Sequence, residues 1–538
     1  MTLSAAVIVT ASLLFSLRAV AYSAGVASFN AHASGSAALS AEPTANNLHR
    51  LSASVIAGDR DDDNHSGDDE DRDNKNKVTG FITVTPGAGE FVGDWLLIAS
   101  GKLVTVVVTE KTEVKDFEGV PPEVGDWVEA KGKPREDGAL VARRLRPNKF
   151  EAGEVVARLT SSEVLTDVVQ TYQVTPLDSL LASANIYRFA IGEDRDEEGF
   201  VNAIKADTAR FMWAEVNYVS EIPSDPEGDP YRTWKWGSND PRGYINQGAL
   251  QQIRFMSVEN RFTGAGVTVA VIDTGIDGGH PVFRDRLLPG RDLVSDDDVP
   301  QDGPEAGGDG GAAVGHGTHV SGIIARLAPG SRILPIRVLN VDGRGNVFIL
   351  AYAIDWAVEH GADVINLSLG ADADSEVLSD AVARAQAQGV VIVAAAGNDN
   401  AEAKQYPAAF PGVLSITAVD DRNRKAPFAN YGKDWVDLAA PGVGITSTIP
   451  VSGSLLYATW SGTSMATPFA AGAAALVIEY APDNTPAEVA KILVDSGTDL
   501  DPYNPQYKGK LGRLLDLGAA LPPEVQVEKH LYLPALGK

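Results

Sequence analysis

Three runs in the second half of the chain, 267–272, 364–369 and 390–396, are almost wholly apolar. A strand with one wet face alternates apolar and polar residues. An unbroken apolar run of this length instead fits a strand buried on both faces, as in a parallel sheet covered by helices. Stretches of helical composition, 348–359 and 379–388, lie between these runs, and a further strand is predicted at 333–338. The pattern from about 236 to 520 predicts one large α/β domain, a mostly parallel β-sheet flanked by helices.

The rhythm differs upstream. Residues 151–222 read as strand 153–159, helix 161–172, strand 186–191, helix 197–206 and strand 211–219, a compact α+β unit. Pro223, Asp225–Pro226 and the segment 228–230 then mark a linker. Before that unit, β-branched runs at 78–85, 95–99, 103–109 and 127–131 alternate with turn residues such as Pro86–Gly87 and Asp137–Gly138. They predict a small all-β barrel or sandwich over 77–148, with no readable role. Residues 25–76 carry dense aspartate runs and predict a disordered acidic linker. The apolar run 5–17, followed by small residues to about 24, predicts a signal peptide, although no Lys or Arg precedes it. An uncleaved anchor is the alternative there. Residues 521–538 form a C-terminal tail.

Composition narrows the chemistry. The 538 residues contain no cysteine, which excludes disulfides, zinc–thiolate sites and a cysteine nucleophile. The formal net charge of −27 argues against nucleic acid or anionic membrane as a partner.

Chemistry-bearing residues stand where these elements end. Asp273 closes the first buried run, where open α/β sheets place ligands. A lone Asp273–Thr274–Gly275 is also an aspartic-protease triplet, with Asp495–Ser496–Gly497 as a conceivable second. However, Thr485–Pro486–Ala487–Glu488 is a capping box that puts Asp495 near the end of a helix closed by Gly497. His316 opens a helix after a glycine-rich loop. His316 and His319 have spacing for zinc, but no acidic third ligand follows at metalloprotease spacing, so His319 reads as structural. Ser464, in Ser461–Gly462–Thr463–Ser464–Met465–Ala466–Thr467–Pro468, precedes an alanine-rich helix, with Pro468 expected in its first turn. Free N–H groups at such an end can hold a developing oxyanion. Asn398 ends another apolar strand and offers a second amide donor.

Taken together, Asp273, His316, Asn398 and Ser464 with their flanking residues resemble the subtilisin-like (subtilase) family of serine proteases over about 280 residues. That resemblance implies a secreted serine endopeptidase acting through an acyl-enzyme. Ser464 would be the nucleophile, His316 the general base, Asp273 its orienting carboxylate, and Asn398 with the Ser464 N–H the oxyanion donors. Ser368, Leu369 and Gly370 would pair with substrate backbone, facing Gly343 and Gly345 across a groove. Ala396 and Gly397, near Gln405–Tyr406–Pro407, would wall the pocket for the residue before the scissile bond.

The unit 151–222 resembles subtilase propeptides, notably at 185–189 and 213–218, which implies a self-processing zymogen cut within about 219–240. Expected partners are protein or peptide substrates and the chain's own propeptide as intramolecular inhibitor, with the enzyme a monomer. No cofactor is required for catalysis on this reading, and no metal ligand is assigned. The family's calcium-binding insertion after the histidine helix is missing, and Phe283 stands where an acidic ligand would be expected, so structural calcium would be confined to weaker acidic loops such as 296–298. The competing reading is a catalytically inactive binding protein on the same fold. An α/β-hydrolase requires the order Ser, acid, His, which is absent.

Overall fold

The computed structural model describes residues 77–521, apart from 88–90, 100–101, 115–121, 123–126, 136, 148, 193–194, 196, 224–234, 237–238, 304–312, 342 and 453–454. The predicted signal peptide, the acidic linker, nearly all of the tail and most of the linker after Pro223 lie outside the described residues.

The α/β domain is built on a nine-stranded sheet. Its order is Arg291–Asp292, Arg332–Arg337, Thr268–Asp273, Val364–Leu367, Val391–Ala395, Leu414–Val419, Leu438–Pro441, Arg513–Leu514, Thr498–Asp499. All neighbours pair in parallel except the last two strands. The central strands are buried along their length, so each apolar run supplies side chains to both faces. One face packs against the helices His316–Leu327 and Thr463–Tyr480. The other packs against Val347–Glu359 and Glu376–Ala387. The chain leaves Thr268–Asp273 for Arg332–Arg337 on one side and then crosses to Val364–Leu367 on the other. The carboxyl end of Thr268–Asp273 is therefore the topological switch point, where crossovers depart in opposite directions and leave a crevice.

The α+β unit contributes an antiparallel sheet in the order Phe211–Glu221, Phe150–Leu159, Ile186–Ala190, Thr175–Pro176. Alternation sends Val155, Ala157 and Phe189 into the unit's own core, with Val168, Val201 and Ile204 from its helices. Val156 and Ile186 point the opposite way, into the apolar cluster over Val347–Glu359 and Glu376–Ala387. Ion pairs flank that contact, Arg158 to Asp380 at 2.7 Å and Lys149 to Asp372 at 3.0 Å.

The all-β unit is a closed barrel. Lys102–Val108, Gly93–Ala99, Lys77–Val84, Trp127–Pro134 and Leu140–Pro147 pair in sequence, and a parallel pairing of Val106 with Leu140 joins the last strand to the first. Ile82, Trp95, Leu97, Val106, Val128 and Leu145 fill its centre. The strand Leu140–Pro147 escaped the sequence pattern, because Arg143–Arg144 break its apolar alternation.

Candidate active site

Asp273 is the last residue of its strand and fully buried. Its Oδ1 accepts from the Thr274 N–H at 2.7 Å and from His316 Nδ1 at 2.7 Å. A carboxylate oxygen accepts, so Nδ1 carries the proton of this bond, and the second ring nitrogen is Nε2. That Nε2 has no hydrogen-bond partner among the described residues. Gly317 makes the juxtaposition sterically feasible: a Cβ there would lie 2.2 Å from the Gly275 carbonyl oxygen and 3.2 Å from Asp273 Cβ.

The helix that carries His316 has no side-chain cap of its own, because Gly315 occupies the N-cap. A distant loop supplies a cap instead through Asp302, which accepts from Gly315 N and Thr318 N, both at 2.9 Å, and from Thr318 Oγ1 at 2.6 Å. Thr274 Oγ1 donates to the same carboxylate at 3.1 Å and accepts from the Gly317 N–H at 2.9 Å. One buried carboxylate thus ties the strand end bearing Asp273 to the first turn bearing His316. Burial pushes the Asp302 carboxyl up to about 6, against the pull of the Thr318 and Gly315 donors.

His319 lies one turn further, its Nε2 3.3 Å from the Ala458 carbonyl oxygen and its ring stacked on Trp460 at 4.4 Å. Burial, with His316 nearby, pushes its pKa down to about 3, so it is neutral. Phe283 sits in the apolar core beneath this helix. In the acidic loop, Asp298 pairs with Arg291 at 3.1 Å and Asp296 pairs with the same guanidinium.

Ser464 is the second residue of the helix Thr463–Tyr480. This corrects the sequence expectation for Pro468, which lies inside the helix rather than in its first turn. Proline has no N–H for the carbonyl one turn earlier, which belongs to Ser464. The Ser368 hydroxyl supplies the missing donor to that carbonyl at 2.9 Å. The Ser464 hydroxyl in turn donates to the Ser368 carbonyl at 3.2 Å. Asn398 is gripped through its Oδ1 by Thr463 N at 3.0 Å and Thr463 Oγ1 at 2.9 Å, which turns its NH2 outward.

That NH2 donates to the Pro223 carbonyl at 3.1 Å. Pro223, which the sequence marks as linker, is therefore part of the site. The preceding residues run as an extended strand between the predicted groove walls. Val219, Ser220 and Glu221 pair antiparallel with Asn346, Gly345 and Arg344. Glu221 exchanges both backbone hydrogen bonds with Gly370, at 2.8 and 2.9 Å, and Ile222 N donates to the Gly343 carbonyl at 3.0 Å. Asp342 lies outside the described residues. Leu369 is buried beside Ser368 and Gly370. A Cβ on Gly397 would lie 2.3 Å from Asn430 Nδ2 and 2.5 Å from Gln405 Oε1, and one on Gly370 would lie 2.8 Å from Gln405 Cγ, so Gln405 lies between these two walls. Ala396 backs them, its carbonyl accepting from Asn430 Nδ2 at 3.0 Å.

The structure brings Asp273 to His316, and Ser464 to Ser368. It gathers Asn398 with the groove residues around one extended segment of the same chain. Sequence reasoning missed Asp302, Thr274, Thr318 and Thr463, whose partners lie far away in sequence. It also missed Glu215, whose carboxylate accepts from Ser375 Oγ at 2.9 Å, Glu376 N at 2.8 Å and Val377 N at 2.9 Å at the start of a helix.

Comparison with known proteins agrees with this architecture. A family model described as the subtilase family matches residues 264–512, and one for a domain of unknown function matches 98–146. A thermophilic serine proteinase of Bacillus sp. (strain AK1) is 39% identical over 282 residues, 51% of this chain and 64% of that protein, slightly under two thirds of its length. Subtilisin BL of Lederbergia lenta is 38% identical over 265 residues, 47% of this chain and 92% of that protein. The crystal structure of fervidolysin from Fervidobacterium pennivorans, described as a keratinolytic enzyme related to subtilisin, superposes with a TM-score of 0.56 at 25% identity, covering 73% of this chain and 63% of that one. The chain belongs to the subtilase family of serine proteases.

Proposed function

We propose that this chain is a secreted serine endopeptidase made as a self-processing zymogen, and that its substrates are proteins or peptides bound as extended strands. The observation that carries the reading is the 2.7 Å bond from His316 Nδ1 to buried Asp273, with Nε2 unpartnered among the described residues and a polypeptide backbone already seated in the groove. Ser464 Oγ attacks the carbonyl carbon before the scissile bond, and His316 Nε2 takes the hydroxyl proton. Asp273 keeps the ring in the Nδ1–H tautomer and stabilises the imidazolium. Asn398 Nδ2 and the Ser464 N–H, which has no carbonyl one turn earlier to bond, hold the oxyanion. His316 returns the proton to the leaving amine, and water then cleaves the acyl-enzyme.

The unit 151–222 acts as propeptide. Its last strand occupies the groove and blocks it, and burial of Val156 and Ile186 against the catalytic domain holds it there. Catalysis needs no metal ion in this scheme.

The test compares wild type with Ser464→Ala. Wild type should shorten itself and hydrolyse an unfolded protein, with activity lost to a serine-directed reagent and retained in EDTA. Ser464→Ala should remain full length. Equal shortening of both chains would refute the assignment and favour an inactive binding protein cut by another protease. Secretion is tested by the presence of the mature chain in culture medium.

A further inference from the structure

The backbone pairing in the groove identifies a single bond. In an antiparallel ladder, residues that exchange both hydrogen bonds recur at every second position on each strand. Glu221 and Gly370 form such a pair, at 2.8 and 2.9 Å. The next pair in that register is residue 223 opposite residue 368. At that point the Pro223 carbonyl accepts from Asn398 Nδ2 at 3.1 Å. The register thus sets the Pro223 carbonyl, and no other of the strand, against the amide donor of the site.

Proline alters what happens there. An ordinary residue at 223 would donate its N–H to the Ser368 carbonyl. Pro223 has none, and the Ser368 carbonyl instead accepts the Ser464 hydroxyl at 3.2 Å. The hydroxyl is thereby directed at a backbone carbonyl, while His316 Nε2 has no partner among the described residues. The acyl-donating residue is also short of one anchoring bond, although the strand before it is held on both sides.

We infer that the chain cuts itself at the Pro223–Ser224 bond, and that Pro223 slows this cut by leaving the Ser368 carbonyl to hold the nucleophile's hydroxyl away from His316. The inference rests on the protease reading above. In the step itself, a bond forms between Ser464 Oγ and the Pro223 carbonyl carbon, and the hydroxyl proton passes to His316. The carbon–nitrogen bond to Ser224 breaks as that proton moves to the departing amine. One water then cleaves the ester, restoring Ser464 and leaving a carboxylate on Pro223.

The experiment refolds the purified full-length chain as wild type, Pro223→Ala and Ser464→Ala, and follows shortening over time. Early samples are digested with trypsin and weighed. Since no Lys or Arg lies between Arg210 and Pro223, the expected wild-type product is a peptide spanning 211–223. Pro223→Ala should yield the same cut about tenfold faster, the scale of one added backbone hydrogen bond with the hydroxyl released. A wild-type peptide ending elsewhere, or a Pro223→Ala rate equal to or below wild type, overturns the inference. The double variant Pro223→Ala/Ser464→Ala, unfolding at the urea midpoint of Ser464→Ala, ensures that a slow Pro223→Ala is not a misfolded one. Shortening of Ser464→Ala at the wild-type rate would instead overturn the protease reading.

Discussion

On the proposed reading of 151–222 as a propeptide, Glu215 offers the most direct measure of what holds that unit in place. It lies on the strand Phe211–Glu221, and its buried carboxylate receives Ser375 Oγ, Glu376 N and Val377 N at 2.8–2.9 Å. The two backbone donors belong to the first turn of the helix Glu376–Ala387, so the α+β unit completes the cap of a helix in the α/β domain. Glu215→Ala removes the acceptor but not the donors. Ser375 Oγ and Val377 N are buried in the complex and would be left there without an acceptor, so the loss appears as affinity. A hydrogen bond to a charged group contributes about 1.5–3 kcal/mol, but burial opposes the charge and pushes Glu215 up to about 7. We expect a net loss of about 2–3 kcal/mol, or roughly 30- to 150-fold in Kd. Self-shortened wild type and Glu215→Ala would be diluted serially at pH 8, and the concentration at which peptide hydrolysis is half unmasked gives Kd. Agreement of the two within about threefold would refute the reasoning. The pH dependence is fixed in sign. The bound carboxyl titrates at about 7 and the freed one near its ordinary 4.5, so the complex holds a proton between those values. Affinity should therefore fall as pH rises through that window and level off above it, and Glu215→Gln should flatten the curve.

Three further outcomes can be checked. Ser368→Ala deprives the buried Ser464 carbonyl of its donor, which Pro468 cannot replace, and should cost about 1–3 kcal/mol in urea unfolding. His319, neutral with a pKa of about 3, should show no NMR titration between pH 5 and 8; because it must charge on unfolding, its contribution to stability is lost as pH falls below about 6.5. Gly322→Ala places a Cβ 2.2 Å from Thr448 Oγ1 and 2.3 Å from Ser447 Oγ, and should lower stability by about 1–3 kcal/mol without changing the pH profile of hydrolysis.

The parts of the fold legible in sequence were those with a local physical signature. The strand ending at Asp273 shows itself because burial on both faces demands an unbroken apolar run. The helix Pro486–Ser496 shows itself through the Thr485–Glu488 capping box, which forms as read. Pro468 misled because proline is ordinarily excluded from a helix interior, and only a hydroxyl nearly a hundred positions away compensates for it. Asp302 carries no local signature at all: its donors, Thr274 and Thr318, are 28 and 16 residues distant and converge only once the sheet is assembled. Pro223 read as a chain breaker, since local propensity cannot reveal that a strand ending there will be captured by two others.

On the proposed function, the groove has a consequence for diet. Its two walls, Arg344–Asn346 and the segment ending at Gly370, are unfinished sheet edges once the strand between them departs. Such edges accept only a stretch of backbone free of its own hydrogen-bonded neighbours. A helix would have to melt, and a strand would have to peel from its sheet, before entering. Compact prey should accordingly be nicked first in loose loops and frayed ends, and vulnerability should track how readily a dozen or so residues can lie straight rather than which side chains they carry.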